Sequence, residues 1–134
     1  MTASRFAPIE NPDTERFWQG CRDGTLLVQR CRSCGTSRHP PSPLCHSCHS
    51  PELEWAVCSG MGEVWTFSVL REPLDGWAGQ LPTIVAIIEL VEGVKMISNI
   101  VEVEPEAVHI GMKVAVCFEV SEGEVVLPRF RPLK

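Results

Sequence analysis

Apolar and polar residues alternate along much of the chain after Ser59. The segment Glu63 to Arg71 alternates smaller side chains with Trp65, Phe67 and Val69, and this period of two predicts a half-buried strand. Four further segments between turn residues are predicted as strands: Thr83 to Leu90, Lys95 to Val101, Lys113 to Val120 and Glu124 to Leu127. A helical turn is expected late in this order, at Pro105 to Val108. Five short strands with such a turn predict a small closed Greek-key barrel of the OB type, which also protects apolar strand edges.

The first part of the chain has a different pattern, which predicts a short helix. Asn11 to Glu15 combines a capping side chain, a proline suited to the first helical position and acidic groups that favour a helix N-terminus. We expect Gly20 and Gly24 to end the helix. Because so short a helix is marginal alone, Phe17 and Trp18 must be buried, either against the barrel or against another subunit.

Two C-x-x-C motifs lie between two further predicted strands, Thr25 to Gln29 and Glu52 to Val57. This doubled spacing predicts one structural zinc ion held by four thiolates: Cys31, Cys34, Cys45 and Cys48. Iron in the same four-thiolate cage is the alternative, because the ligand set does not separate the two metals. Disulfides or simple burial fit the spacing poorly in a chain without a secretory signal.

Residues near the cysteines form the surroundings of this predicted zinc ribbon. Pro40, Pro41 and Pro43 predict a rigid extended connector between the two motifs, since proline fixes its own φ and restrains its predecessor. Three histidines are also close in sequence and are predicted to be exposed neighbours of the metal rather than ligands: His39, His46 and His49.

Length and composition indicate a small globular protein. The 134 residues are 44% hydrophobic and 22% charged. The longest apolar runs contain five residues, against about 20 for a membrane-spanning helix. Since residues 1–12 show no signal-peptide pattern, we expect a cytoplasmic protein with reduced thiols and no membrane segment. The pattern as a whole is mainly β, with a helical segment at 1–24, the ribbon at 25–57 and the OB-fold domain at 58–134.

The net charge of −5 is unevenly distributed. Residues 20–50 carry +3, residues 51–128 carry −10, and residues 129–134 return +3. This polarity suits a discrete anionic ligand or an oppositely charged partner near the ribbon and argues against a broad nucleic-acid surface. Single-stranded nucleic-acid binding nevertheless stays the alternative function, because zinc ribbons and OB barrels can both support it. Any single arginine of the ribbon can also be an ordinary solvated residue.

With the ribbon, the preceding helix and the following barrel in place, the chain resembles the DUF35 family, in which a rubredoxin-like zinc ribbon is joined to an OB-fold. The resemblance covers nearly the whole chain, and its strength lies in the order and spacing of short segments. These are Phe17 to Gly20, Leu26 to Gly35, Pro41 to Cys45, Leu53 to Trp55, Ser59 to Gly62, Leu81-Pro82 and Leu127 to Pro132.

The resemblance implies an accessory subunit in a hetero-oligomer with a thiolase-superfamily protein, where the barrel helps to bind or channel an acyl-CoA. Related assemblies include thiolases, acyltransferases, hydroxymethylglutaryl-CoA synthase complexes and retro-aldolases of steroid side-chain breakdown. The residues agree with a non-catalytic role, because the sequence has no nucleophile elbow, no phosphate-cradling loop and no H-E-x-x-H motif. Cys58 and Cys117 are predicted to be packed small hydrophobes rather than nucleophiles.

Two segments are candidates for contact with the acyl-CoA. Trp77, between glycines in the loop Pro73 to Leu81, offers a flat aromatic surface for adenine. Arg129, Phe130 and Arg131 add a second aromatic ring and two guanidinium groups, which match phosphate geometry. In the structural alternative, Trp77 fills the barrel and Phe130 anchors the C-terminal tail.

Overall fold

The computed structural model describes residues 9–72, 81–120 and 125–133. Within these residues, one α-helix, α1 (Glu15–Arg22), precedes eight strands, and a 3₁₀ turn, Pro105–Ala107, lies between the sixth and seventh strands. The strands are β1 (Leu27–Cys31), β2 (Ser37–Arg38), β3 (Leu53–Val57), β4 (Met61–Leu70), β5 (Thr83–Leu90), β6 (Lys95–Ile100), β7 (Lys113–Val120) and β8 (Val126–Pro132). The first three form a small sheet in the order β2-β1-β3, and the other five close into a barrel in the order β4-β5-β6-β8-β7. The predicted mainly β fold, with a short helix, a ribbon and a five-stranded barrel, is confirmed.

The last strand is longer than the sequence pattern predicts, because it continues to Pro132 rather than ending at Leu127. Strand β8 pairs with β7 over its whole length and completes the barrel beside Ile100 of β6. The Leu133 amide donates to the Lys113 carbonyl, and hydrogen-bonded pairs recur at every second residue of an antiparallel ladder. Pro128 and Pro132 lie between these pairs, so they exchange no backbone hydrogen bonds with the residues of β7 opposite them. The prolines therefore occupy positions where the missing N–H is not needed for this pairing.

The helix begins near the predicted cap but ends later than predicted. The side-chain oxygen of Asn11 accepts hydrogen bonds from the amides of Asp13 and Thr14, at 2.9 and 3.0 Å. Gly20 lies inside α1, contrary to the expectation that it helps to end the helix. It is needed because a Cβ there would lie 2.8 Å from Cδ1 of Leu27. The chain leaves the helix at Gly24, where φ is +77°.

One continuous cluster of buried side chains joins the helix, the ribbon sheet and the barrel. Phe17 of α1 is 3% exposed, and Trp18 packs partly buried against the same cluster. Val28 of β1 and Phe130 of β8 belong to it as well. Of the two sites that the sequence left open for the aromatic pair, the structure therefore uses the protein's own core. Within the described residues, no helix is long and apolar enough to cross a membrane.

Candidate metal centre and barrel groove

The two C-x-x-C motifs form two copies of the same turn. In each, the residue after the second cysteine donates its amide to the carbonyl of the first cysteine: Gly35 to Cys31 and His49 to Cys45, both at 2.9 Å. The amide of the first cysteine donates to the carbonyl five residues further on: Cys31 to Thr36 at 2.8 Å and Cys45 to Ser50 at 3.0 Å. Both turns need a left-handed residue after the second cysteine, with φ values of +79° at Gly35 and +63° at His49. This equivalence was not predicted, although the two motifs have the same spacing.

The turns bring the four cysteine sulfurs together, all within 4.8 Å of one another. The Sγ atoms of Cys31 and Cys48 are 3.5 Å apart, and those of Cys34 and Cys45 are 3.6 Å apart. A tetrahedral zinc ion with Zn–S bonds of about 2.3 Å places its sulfurs about 3.8 Å apart, so the cluster fits the ion. Cys31 and Cys45 are buried, whereas Cys34 and Cys48 are exposed.

The acidity of the four thiols also suits a metal centre. Backbone amides, those of Cys34 and then Ser33, stabilise the Cys31 thiolate and lower the pKa of that thiol to about 6. The Ser50 amide also favours the Cys48 thiolate, but the neighbouring sulfurs, led by Cys31, and burial raise the Cys48 pKa to about 12. Four thiols this close cannot all ionise unless a cation offsets their repulsion. The chemistry of the donor set therefore supports a structural zinc.

Beside the centre, the proline-rich connector is held on the ribbon sheet by a buried polar network. The Ser42 amide donates to Oε1 of Gln29 at 2.8 Å. Arg38 donates from Nε to the Ser42 hydroxyl at 3.0 Å and from Nη2 to the Ser42 carbonyl at 2.9 Å. Gln29 and Arg38 are 2% and 4% exposed, so Arg38 is a structural residue and does not contribute to a basic surface.

Two more arginines of residues 20–50 form ion pairs with carboxylates: Arg22 with Glu10 and Arg30 with Glu54. Two of the four arginines in residues 20–50 are therefore paired with carboxylates, and Arg38 is bonded to Ser42. This result weakens the expectation of an anion site beside the cysteines.

His39 is not the exposed neighbour that was predicted. Its ring packs against Phe17, with the ring centroids 5.1 Å apart, because α1 covers the start of the connector. Burial lowers the pKa of His39 to about 4, so the ring is neutral at pH 7. His46 and His49 are exposed, as predicted.

A groove of about 400 Å³ is lined by the ends of β5, β6 and β7, by β8 and by the segment that follows β6. Arg129 lines it with the carboxylates Glu102 and Glu119. Arg131 lies two residues further along the same face of β8, with Nη1 3.9 Å from Oε2 of Glu102. This groove was not predicted, because the residues that line it are distant from one another in the sequence.

The two predicted aromatic contacts to the ligand are Phe130 and Trp77, and Phe130 does not line this groove in the part of the chain that the structure describes. Phe130 points into the barrel and is fully buried, because alternate residues of a strand face opposite sides. In this structure its ring is available for packing and not for stacking on a ligand. Trp77 lies outside the described residues.

The three cysteines outside the cluster have poor nucleophile chemistry. Burial raises the pKa values of Cys21 and Cys58 to about 11, with Glu92 adding to the effect at Cys58. Burial also raises the pKa of Cys117, against the opposing effect of Arg131. All three thiols are therefore protonated at neutral pH, in line with the packing role predicted for Cys58 and Cys117.

The fold and the site define a class of protein in which a four-cysteine zinc ribbon is joined to a closed OB barrel. Residues 18–54 match the family described as "ChsH2, rubredoxin-like zinc ribbon domain", and residues 55–119 match "ChsH2, C-terminal OB-fold domain". A "DUF35 domain-containing scaffold protein" of Methanocaldococcus jannaschii is 37% identical over 105 residues, which cover 77% of this chain and 74% of that protein. The chain belongs to the DUF35 family.

Two further similar proteins have enzyme names. A "Probable enoyl-CoA hydratase alpha subunit" of Thermomonospora curvata is 35% identical over 130 residues, which cover 97% of this chain. The chain spans only 40% of that protein's length. A chain of the solved structure "Ltp2-ChsH2(DUF35) aldolase" superposes with a TM-score of 0.86 at 34% identity, covering 93% of this chain and 98% of that one.

Proposed function

We propose that the chain is a non-catalytic zinc-binding subunit of a heteromeric acyl-CoA enzyme whose partner belongs to the thiolase superfamily. The observation that carries the proposal is the likeness to a chain of the Ltp2-ChsH2(DUF35) aldolase over 98% of that chain's length. A thiolase, an acyltransferase or a retro-aldolase, including one of steroid side-chain breakdown, fits this role. The thiolase-superfamily identity of the partner comes from the family resemblance.

The chemistry of the described residues supports a subunit that does not catalyse the reaction by itself. A zinc ion with four thiolate ligands keeps no open position at which to activate water. The other cysteines are protonated at neutral pH. We therefore assign Cys31, Cys34, Cys45 and Cys48 as ligands of one structural zinc ion, which holds the two turns together.

We place acyl-CoA contact on the outer face of β8. Arg131 is more than half exposed, and its ion pair with Glu102 is long, so its guanidinium can turn toward a phosphate. Arg129 lies in the adjoining groove. Glu119 and Glu102 disfavour phosphate inside that groove, which instead suits a neutral part of the ligand. Trp77 is the proposed stacking partner for adenine, and Phe130 supports the strand from the core.

Co-expression with a thiolase-superfamily protein encoded beside this chain tests the proposed assembly. We expect the two proteins to co-purify as a stable complex and acyl-CoA turnover to require both. The isolated chain should show no turnover. A chain that stays uncomplexed with every such partner would contradict the assembly.

A matched pair of variants tests the ligand contact separately in that complex. Arg131→Glu should weaken acyl-CoA binding, measured calorimetrically, by about tenfold or more, since it replaces attraction to phosphate with repulsion. Arg32→Glu makes the same charge change at an exposed ribbon position and should leave the affinity unchanged. Equal affinities in a complex that still assembles would remove the contact and keep the subunit role.

A further inference from the structure

The ribbon sheet has an open edge at β3. The barrel strands form a closed ring, whereas the ribbon sheet ends with β3, which pairs with β1 on one side. Among the described residues, no strand pairs with its other side. An open strand edge offers backbone donors and acceptors to an added strand.

The hydrogen bonds to β1 determine which groups of β3 are free. The Cys58 amide donates to the Leu26 carbonyl at 2.8 Å, and the Arg32 amide donates to the Glu52 carbonyl at 3.1 Å. Bonded pairs recur at every second residue of an antiparallel ladder, so Glu54 and Ala56 also direct their N–H and C=O groups toward β1.

The other three residues of β3, which are Leu53, Trp55 and Val57, direct their N–H and C=O groups away from β1. These groups make no hydrogen bond in the part of the chain that the structure describes. The free edge of β3 thus presents a row of alternating hydrogen-bond donors and acceptors.

The side chains beside this row are apolar. Leu53, Trp55 and Val57 share one face of the strand, and Val57 is 71% exposed. The strand has no proline or lysine, which protein edges commonly use against unwanted pairing. Its one charged residue, Glu54, is already paired with Arg30 of β1, with Oε1 of Glu54 4.0 Å from Nε of Arg30.

We propose that two copies of this chain pair through their β3 edges, antiparallel and centred on Trp55, to form one six-stranded sheet. In this register Leu53 of each copy lies opposite Val57 of the other, and Trp55 lies opposite Trp55. All the free groups are used, which gives about six hydrogen bonds.

Charge and hydrogen bonding both select this register over its neighbours. With Trp55 at the centre, Glu54 lies opposite the uncharged Ala56 of the second copy. Moving the centre to Glu54 leaves about four hydrogen bonds and places the two Glu54 carboxylates opposite each other. Moving it to Ala56 also loses about two hydrogen bonds. The edge is therefore complementary to itself in one arrangement.

The predicted dimer is weak, because paired five-residue strands bury less than the roughly 1,000 Å² of a stable interface. The pairing needs no acyl-CoA and no enzyme partner, and so goes beyond the proposed function. Sedimentation velocity of the zinc-loaded chain from micromolar to millimolar concentration measures it. We expect the mean mass to rise from one chain toward two.

Val57→Pro and Val57→Thr form the matched pair of variants. Proline removes an outward N–H and adds a ring at the edge, while the ladder to β1 uses Ala56 and Cys58 and is unaffected. Threonine keeps the N–H. Val57→Thr should dimerise like the parent chain, and Val57→Pro should stay monomeric to at least about tenfold higher concentration. A parent chain that is monomeric throughout, or a proline variant that dimerises equally, overturns the proposal.

Amide hydrogen exchange of the parent chain decides the question if the proline variant does not fold. Raising the protein concentration should slow exchange at Leu53, Trp55 and Val57 by about tenfold. Glu54 and Ala56, which bond to β1 in either state, should not change. Exchange that does not depend on concentration, or that slows only when an enzyme partner is added, overturns self-pairing.

Discussion

His49 occupies a backbone position that suits glycine, and Gly35 shows what that position prefers. Both residues directly follow the second cysteine of a C-x-x-C motif and have positive φ. His49→Gly should therefore stabilise the zinc-loaded protein by about 1 kcal/mol, because glycine adopts the left-handed conformation without steric cost. The thermal unfolding midpoint measures the change.

The matched substitution is Gly35→Ala, which should destabilise by a similar amount. A Cβ at Gly35 would meet its nearest neighbour, Nη2 of Arg30, at 3.9 Å, so the cost is conformational and not a clash. If both variants melt with the parent protein, the two turns do not share this requirement.

His39 makes stability depend on pH. Its pKa falls from 6.5 in the unfolded chain to about 4 in the folded protein, because burial disfavours the charged ring. The unfolded state thus binds the proton first as pH falls. The stability linked to His39 is complete above pH 6.5, decreases between pH 6.5 and about 4, and is constant below that. The loss totals about 3 kcal/mol at most.

Urea unfolding of the parent protein and of His39→Phe at several pH values measures this contribution. Phenylalanine can keep the ring contact with Phe17 but cannot be protonated. Loss of zinc at acidic pH affects both proteins, so it cancels when the free energy of unfolding of one is subtracted from that of the other. Parallel stability curves across this pH range would show that His39 is not responsible.

At the scale of residues, the sequence predicted the four metal ligands because their spacing alone brings thiols together. It did not predict that His39 is partly buried or that Arg38 is buried. Their environment depends on how the proline connector folds back onto Gln29, and on where α1 lies. Neither contact leaves a periodic signal in the sequence.

Gly20 determines how closely α1 can approach β1. Alanine is normally favoured over glycine inside a helix by about 1 kcal/mol. Here Gly20→Ala should instead destabilise by about 1–3 kcal/mol, since its Cβ would lie 2.8 Å from both Cδ1 of Leu27 and the Thr25 carbonyl oxygen. Arg16→Ala, at an exposed position of the same helix, is the control and should be neutral or slightly stabilising. A stabilised Gly20→Ala variant would contradict the close packing.

Among the elements, the alternating strands were predictable because one face of each lies against the core. The full extent of β8 was not, since Pro128 and Pro132 normally indicate the end of a strand. Those prolines are tolerated only because of the register with β7, which is a property of the closed barrel and not of the segment.

At the scale of the whole molecule, the ribbon and the barrel are mechanically joined. The buried cluster runs from Phe17 and Val28 to barrel residues such as Ile88. The Ser59 amide, in the link between the two parts, donates to a Glu92 carboxylate oxygen at 2.9 Å, which ties that link to the β5–β6 turn. The sequence predicted the two parts but not the shared core, because core contacts between distant segments are not encoded in local pattern.

Removal of the metal should therefore destabilise the entire chain and not the ribbon alone. Structural zinc binding is coupled to folding, so without the ion the turns around Cys31 and Cys45 lose their constraint. The ribbon side chains then no longer cover their part of the core. After chelation we expect a melting midpoint lower by more than about 10 °C, restored by added zinc. Amide signals of Val28 in the ribbon and Ile88 in the barrel, followed by NMR, should disappear at the same temperature. If the ribbon and the barrel share one core, losing the ribbon side must weaken the barrel. A barrel signal that keeps its original midpoint while the ribbon signal is lost would therefore contradict the prediction and show that the barrel is stable by itself.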